Sequence, residues 1–373
     1  MKSIQFMAML LAAGFISTSC IRDEEPNAEA DITECIMPQE QLTRPDIDVY
    51  NPYDKELNAY PIYLPINKNT DVRALAPQFK ITEGATIEPA SGSTQNFSHP
   101  VRYTVTSEDR MWHRTYAVIA QNQQKLPSFF HFETAKTDGQ YHIIYEELGD
   151  HTLTWGSGNG GFALAVSTAK PNEYPTFLSA DGYKGNCVKM VTRETGSLGA
   201  LVGMPIASGN LFIGRFDIGN ALSKPLEATK FGEPFTSKPI KLKGYYRYKS
   251  GPKFLEKGKE VNKKDMMNIY AIFYESTDTT PMLDGNIQEN NYEHPNMVAL
   301  ALMQNPHETK GEEWEEFNID FDYNRYGKSI DLEKLAAGKY HLGIVFAASV
   351  NGATFAGAPG STLMVDEMEL IYE

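Results

Sequence analysis

Trp155 lies among glycines, Gly156, Gly158, Gly160 and Gly161, where backbone can approach a ligand and an indole can be presented, with Asn159 as a nearby amide. A pyranose has an apolar C–H face and a rim of hydroxyls, so a site for one needs an aromatic plane with planar polar groups beside it. Two further segments offer that pairing through period-two alternation. In residues 241–249, Lys243, Tyr245 and Arg247 share one face, opposite Leu242, Gly244, Tyr246 and Tyr248. In residues 268–274, Asn268, Tyr270, Ile272 and Tyr274 lie opposite Ile269, Ala271 and Phe273. The candidate ligand contacts are therefore Trp155, Asn159, Tyr245, Arg247, Tyr270 and Tyr274. The alternative for each is core packing, because Tyr-rich faces also lie under loops. Exposed rings along a concave groove would favour the first reading, and a flat convex surface with a buried Trp155 the second.

Carboxylates raise a second possibility. Glycoside hydrolysis needs two, about 5–5.5 Å apart for retention or about 6.5–9.5 Å for inversion. Asp217, Asp265, Glu275, Glu315, Glu316, Asp320 and Asp322 are available, but the chain holds 48 acids against 34 Lys and Arg, a net charge of -14, so abundance alone decides nothing. Glu312, Glu313, Glu315 and Glu316 read as a solvated face, and Trp314 among them keeps a hydrolase conceivable. There is no Glu-x-Asp-x-x-Glu pattern, no Gly-x-Ser-x-Gly elbow, and no Cys-x-x-Cys or His-x-x-x-His spacing for zinc. Catalysis is the secondary reading. The acidity argues against a nucleic-acid partner, which would need clustered cations.

The elements that must position these residues are strands. Tyr (20) and Phe (19) are abundant, with frequent Gly and Pro, and no long amphipathic helix stands out beyond a short turn at 332–337. Strand candidates at 31–36, 59–65, 79–82, 86–89, 101–105 and 114–119, with turns between them, predict an immunoglobulin-like sandwich over 31–120. Trp112 falls in a hairpin tip, where packing on its own hairpin is the favoured reading. A polar linker, 121–127, ends in Pro127. Residues 128–373 carry strands at 189–192, 211–218, 240–249, 269–275, 298–303, 316–321, 340–348 and 363–372, enough for one antiparallel sandwich or jelly roll. The fold class expected is all-β. In the last strand Met364, Met368 and Leu370 mark a core-bound face. That puts Asp366 beside apolar neighbours, a costly place for a carboxylate without a partner or metal.

The first twenty residues stand apart. Lys2 precedes an apolar run, 4–16, which at about 1.5 Å per residue falls short of a hydrocarbon core of about 30 Å. It reads as a secretory signal. The run ends in Ser17-Thr18-Ser19-Cys20, which resembles a bacterial lipobox, with Ser17 where Leu is usual; Cys20 is then the lipidated residue. The acidic residues 21–30 resemble the surface-export tether of some Gram-negative lipoproteins, and are equally the composition of a plain solvated linker. The expected location is the outer membrane, lipid-anchored and facing outward. Cys35 and Cys187 fall in different predicted domains and read as two separate buried thiols.

Stretches spread in order through 128–373 carry a family resemblance. They are Phe132-Glu133, the segments 154–159, 185–190, 212–216, 232–239 and 243–248, Gly360-Ser361-Thr362-Leu363 and Val365-Asp366. Together they resemble the putative carbohydrate metabolism domain family, in which a carbohydrate-binding-module-like jelly roll follows an immunoglobulin-like domain. The chain departs from the pattern at Ala347-Ala348-Ser349, where a serine-rich run would be expected. The resemblance implies a structural calcium between Glu133 and Asp366, helped by a carbonyl from 184–186; hydrogen-bonded strand ends without an ion are the alternative. It also implies a surface lipoprotein holding poly- or oligosaccharide for outer-membrane glycan transporter proteins. The alternatives are a glycan-active enzyme on the same jelly roll and a structural or adhesive protein. Asp278-Thr279-Thr280 resembles a minimal surface O-glycosylation site.

Overall fold

The computed structural model describes residues 26–42, 47–55, 57–67, 70–122, 126–137, 140–148 and 152–373. The expected signal segment with Cys20, the start of the expected acidic tether and positions 123–125 of the expected linker lie outside the described residues.

Alternating apolar residues build a small N-terminal sandwich. Tyr60–Ile66 pairs in parallel with His113–Asn122, which pairs antiparallel with Val101–Thr106, and that strand with Thr86–Glu88. Ile32–Ile36 and Gln78–Ile81 form the facing pair. Ile62, Leu64, Tyr103, Val105, Tyr116 and Val118 meet Ile32, Cys35 and Phe79 in its core. Trp112 does not pack on its hairpin: the turn is closed by backbone and Ser107, leaving the indole 62% exposed.

The larger unit is a two-sheet antiparallel sandwich of the jelly-roll kind. One sheet orders Thr176–Ser179, Cys187–Val191, Thr362–Tyr372, Pro239–Lys249 and Glu315–Asp320, with Phe129–Phe130 added along the closing strand. The other orders Asn210–Phe212, Tyr340–Ala347, Asn268–Glu275 and Met297–Leu302, with Glu233–Pro234 joining the second of these. Between them Val188, Leu242, Tyr246, Phe317 and Leu363 from the first sheet meet Leu211, Ile269, Phe273, Ile344 and Phe346 from the second. Buried Asp265 ties the loops at one end. It accepts hydrogen bonds from Ser349 Oγ at 2.5 Å, Ser361 Oγ at 2.6 Å and the Ala358 amide at 2.7 Å. Ser349 therefore has a polar role even though the run before it is apolar.

The two sheets differ in what their outer faces meet. Phe231, Leu283, Ile287 and Tyr292 cover the far side of the second sheet, so Tyr270, Ile272 and Tyr274 lie in another apolar core. The outer face of the first sheet keeps Tyr245, Arg247 and Lys189 partly accessible.

The closing strand changes phase halfway. Leu363 and Val365 point into the core, and so do Met368 and Leu370. The register steps from Tyr245↔Asp366 to Lys243↔Glu369, so two residues oppose Gly244, and Glu367 adopts φ 45. This is a β-bulge, which inserts a residue and re-aims its neighbours. A single alternation over 363–372 is therefore corrected: Met364 and Asp366 belong to the outer face, and only Met368 and Leu370 to the inner one.

Candidate functional site

Four of the six expected ligand contacts are structural. Trp155 is 3% exposed, its ring 5.4 Å from Phe130 and Phe132 and 6.2 Å from Phe346. The neighbouring glycines serve packing rather than a ligand. Gly156 bridges to Phe212, whose ring a Cβ would strike, and Gly161 lies against Phe216. Asn159 is buried as a clamp, its Nδ2 donating to the Thr176 carbonyl at 2.7 Å and its Oδ1 accepting the Thr176 amide at 3.0 Å. Tyr270 is enclosed, and burial pushes its phenol well up. Tyr274 is enclosed too and donates to the Phe231 carbonyl at 2.6 Å.

Tyr245 and Arg247 are on the open face, as alternation in 241–249 requires, and the fold brings them two aromatic partners. The hairpin loop between Thr176–Ser179 and Cys187–Val191 carries Tyr183 back over the sheet. Its ring stacks on Tyr245 with centroids 3.7 Å apart and planes 10° from parallel. Trp314, from the turn entering Glu315–Asp320, meets Tyr183 edge-on at 6.4 Å. Arg247 places its guanidinium 5.3 Å from the Trp314 centroid. It is also paired with Glu312 at 2.8 Å and reaches Met364 Sδ at 3.0 Å. Tyr183 is 49% exposed, so the outer side of this stack faces solvent. Pairing with Tyr183 holds the Tyr245 phenol above its usual value, with Glu316 and Glu367 adding to the effect. The result is a surface ridge of three rings with one guanidinium and the exposed Glu312 carboxylate at its edge, the elements that a sugar ring needs.

The structure brings exposed Glu133 and buried Asp366 to the same loop, 180–186. Asp366 is fully buried, and its Oδ2 accepts the Lys184 amide at 2.9 Å while Oδ1 accepts the Glu367 amide at 2.8 Å. Burial pushes this carboxyl up to about 6, against the pull of those amides. Glu133 Oε2 accepts the Asn186 amide at 3.0 Å. Calcium asks for six to eight oxygens, and the groups here do not make that shell. Amide N–H groups point at the carboxylates. The carbonyls of Gly185 and Glu133 each accept one hydrogen bond, from the Gly182 amide and Asn186 Nδ2, and no cluster of three or more ligating side chains occurs among the described residues.

Elsewhere, a cavity of about 370 Å³ is lined by Lys230, Thr280, Asp284, Asn286, Asn290 and His294. Tyr183 escaped the sequence reading, although Gly182 and Gly185 flank it much as glycines flank Trp155.

The fold and this surface define a jelly-roll β-sandwich protein with an aromatic ridge on one sheet, preceded by a smaller sandwich. The chain belongs to the family described as "putative carbohydrate metabolism domain", whose profile matches residues 131–371. Residues 56–119 match a second profile, the N-terminal domain of SGBP. Two solved structures are similar, both described as putative glycoside hydrolases. One, from Bacteroides thetaiotaomicron VPI-5482, is 44% identical over 94% of this chain and 99% of its own, with a TM-score of 0.83. The other, from Bacteroides vulgatus ATCC 8482, is 54% identical over 67% of this chain and 100% of its own, with a TM-score of 0.65. The curated proteins gave no match.

Proposed function

We propose that this chain is a cell-surface glycan-binding protein that holds a poly- or oligosaccharide on the Tyr183–Tyr245–Trp314–Arg247 ridge. The observation that carries the reading is the ridge itself: three adjoining rings, the outermost 49% exposed, beside Arg247, whose guanidinium lies over Trp314 and pairs with Glu312. The carbohydrate-related family and the match of residues 56–119 to the surface glycan-binding domain support it. In this reading residues 31–120 are a spacer, 121–127 a linker and 128–373 the binding domain. Cys20 carries the lipid that anchors the protein to the outer membrane, and glycan transporter proteins take up what it holds. A glycan array probed with the purified protein, followed by assay of each retained glycan for released reducing sugar, tests this. Retention without release supports binding, and no retention of any glycan sinks it.

One observation favours a hydrolase as the second reading: burial raises the Asp366 carboxyl to about 6 next to Glu367, below the ridge. Such a shifted acid suits proton donation. Asp366 is sealed beneath the 180–186 loop, so hydrolysis there requires that loop to lift. Release of reducing sugar in the same assay would establish this reading.

A further inference from the structure

We infer that Glu133 and Asp366 are positioning residues, two carboxylates that hold the 180–186 loop by its backbone amides, in place of a calcium ion, and so set Tyr183 on Tyr245. The assignment rests on the proposed role of the ridge, but the geometry of the clamp stands by itself. Tyr183 reaches the ridge from a hairpin loop with one backbone bond of its own, Gly182 amide to Gly185 carbonyl at 3.2 Å, beside Ser179 Oγ on Asp181 at 3.3 Å and a long Lys189–Asp181 pair at 4.0 Å. A loop of that kind opens easily unless the rest of the fold over-determines it.

The grip comes from both sides. Asp366, aimed outward by the bulge, takes the Lys184 amide from below, next in sequence to the stacking ring. Glu133 takes the Asn186 amide on the other side, and Asn186 returns a bond from Nδ2 to the Glu133 carbonyl at 3.1 Å. Carboxylate-to-amide bonds of this sort are charge-assisted and stronger than neutral ones. Glu133 is itself aimed by Glu146, which is buried and accepts the amides of Phe132 at 3.0 Å and His131 at 3.3 Å, fixing Phe132 at φ 52. Gly185 completes the fit, because at φ 76 a side chain is strained and a Cβ would strike the Glu133 carboxylate. The loop presents N–H groups to both acids, which is the polarity of an anion holder and the reverse of what a cation needs.

The test compares Glu133→Ala, Glu133→Gln and Tyr245→Ala with the unaltered protein. Hydrogen exchange of the 180–186 loop and the near-ultraviolet dichroism of the stacked tyrosines are read with 5 mM calcium chloride and with a chelator. Glu133→Ala should speed exchange of the loop about tenfold, the size of one lost hydrogen bond, and lose the dichroic signal that Tyr245→Ala loses. Glu133→Gln keeps an acceptor oxygen and should restore both, and calcium or chelator should change neither. Loop exchange in Glu133→Ala equal to that of the unaltered protein overturns the inference. So does a signal that the chelator abolishes and calcium restores. Because no saccharide enters these readouts, their failure is separable from failure of the binding proposal, which the glycan array decides.

Discussion

Trp155→Ala removes an indole that is 3% exposed and wedged between Phe130, Phe132 and Phe346. Core truncations of this size cost about 3–5 kcal/mol through lost transfer energy and the cavity left behind. One term works the other way. The indole Nε1 has no acceptor among the described residues, and an unpaired buried donor is a liability of about 1–3 kcal/mol that the truncation relieves. The two together leave a loss of about 2 kcal/mol, which for a domain of this size is roughly 4–8 °C in Tm. Trp155→Phe keeps a ring in the cluster while deleting the orphan donor, so its loss should stay within about 1 kcal/mol. Differential scanning calorimetry resolves the transition of the larger domain from that of the smaller one. The reasoning fails if Trp155→Ala melts within a degree of the unaltered protein and instead loses glycan binding, since that would place the indole at a ligand.

Other expectations are independent of that one. Tyr274→Phe deletes the bond to the Phe231 carbonyl and should destabilise by about 1–2 kcal/mol with no change in glycan retention; weakened retention would return Tyr274 to the site. Burial raises Asp366 from 3.8 to about 6, so between those values the folded state binds more protons than the unfolded one. Stability present near pH 4 is then lost as pH rises through 6, by about 3 kcal/mol at most. Tm against pH should fall less steeply between pH 4 and 7 in Asp366→Asn, and identical slopes would refute this. Cys35 and Cys187 are buried and unpaired, and burial pushes both thiols up to about 12. Peptide mapping after exposure to a thiol reagent at pH 8 should find both unlabelled until the protein unfolds; rapid labelling of either would contradict their enclosure.

Much of the fold was legible because one face of most strands is apolar. In 239–249, alternation placed Tyr245 and Arg247 outward and Tyr246 and Tyr248 inward, as observed. The same logic misled at 268–275, where Asn268, Tyr270 and Tyr274 suggested a polar face. Asn-Ile-Tyr-Ala-Ile-Phe-Tyr is better read as a nearly unbroken apolar run, the mark of a strand covered on both sides. The covering segment, with Leu283, Ile287 and Tyr292, is distant in sequence and gave no local sign. The bulge at 366–368 was equally hidden: a phase change that shows only in the pairing with Lys243 and Tyr245 of the partner strand cannot be counted along one strand. Glycines around Trp155 suggested ligand access when they permit close packing against Phe212 and Phe216. Tyr183 has similar flanks but lies in a hairpin loop, and only the register between neighbouring strands puts it over Tyr245.

The most direct measurement is the structure of the protein with a saccharide retained on the array. The account predicts a sugar ring over the exposed side of Tyr183, its hydroxyls reaching Arg247 or Glu312 at the edge of the ridge. A saccharide seated in the cavity of Lys230, Asp284 and His294, with Tyr183, Tyr245 and Trp314 bare, would contradict it.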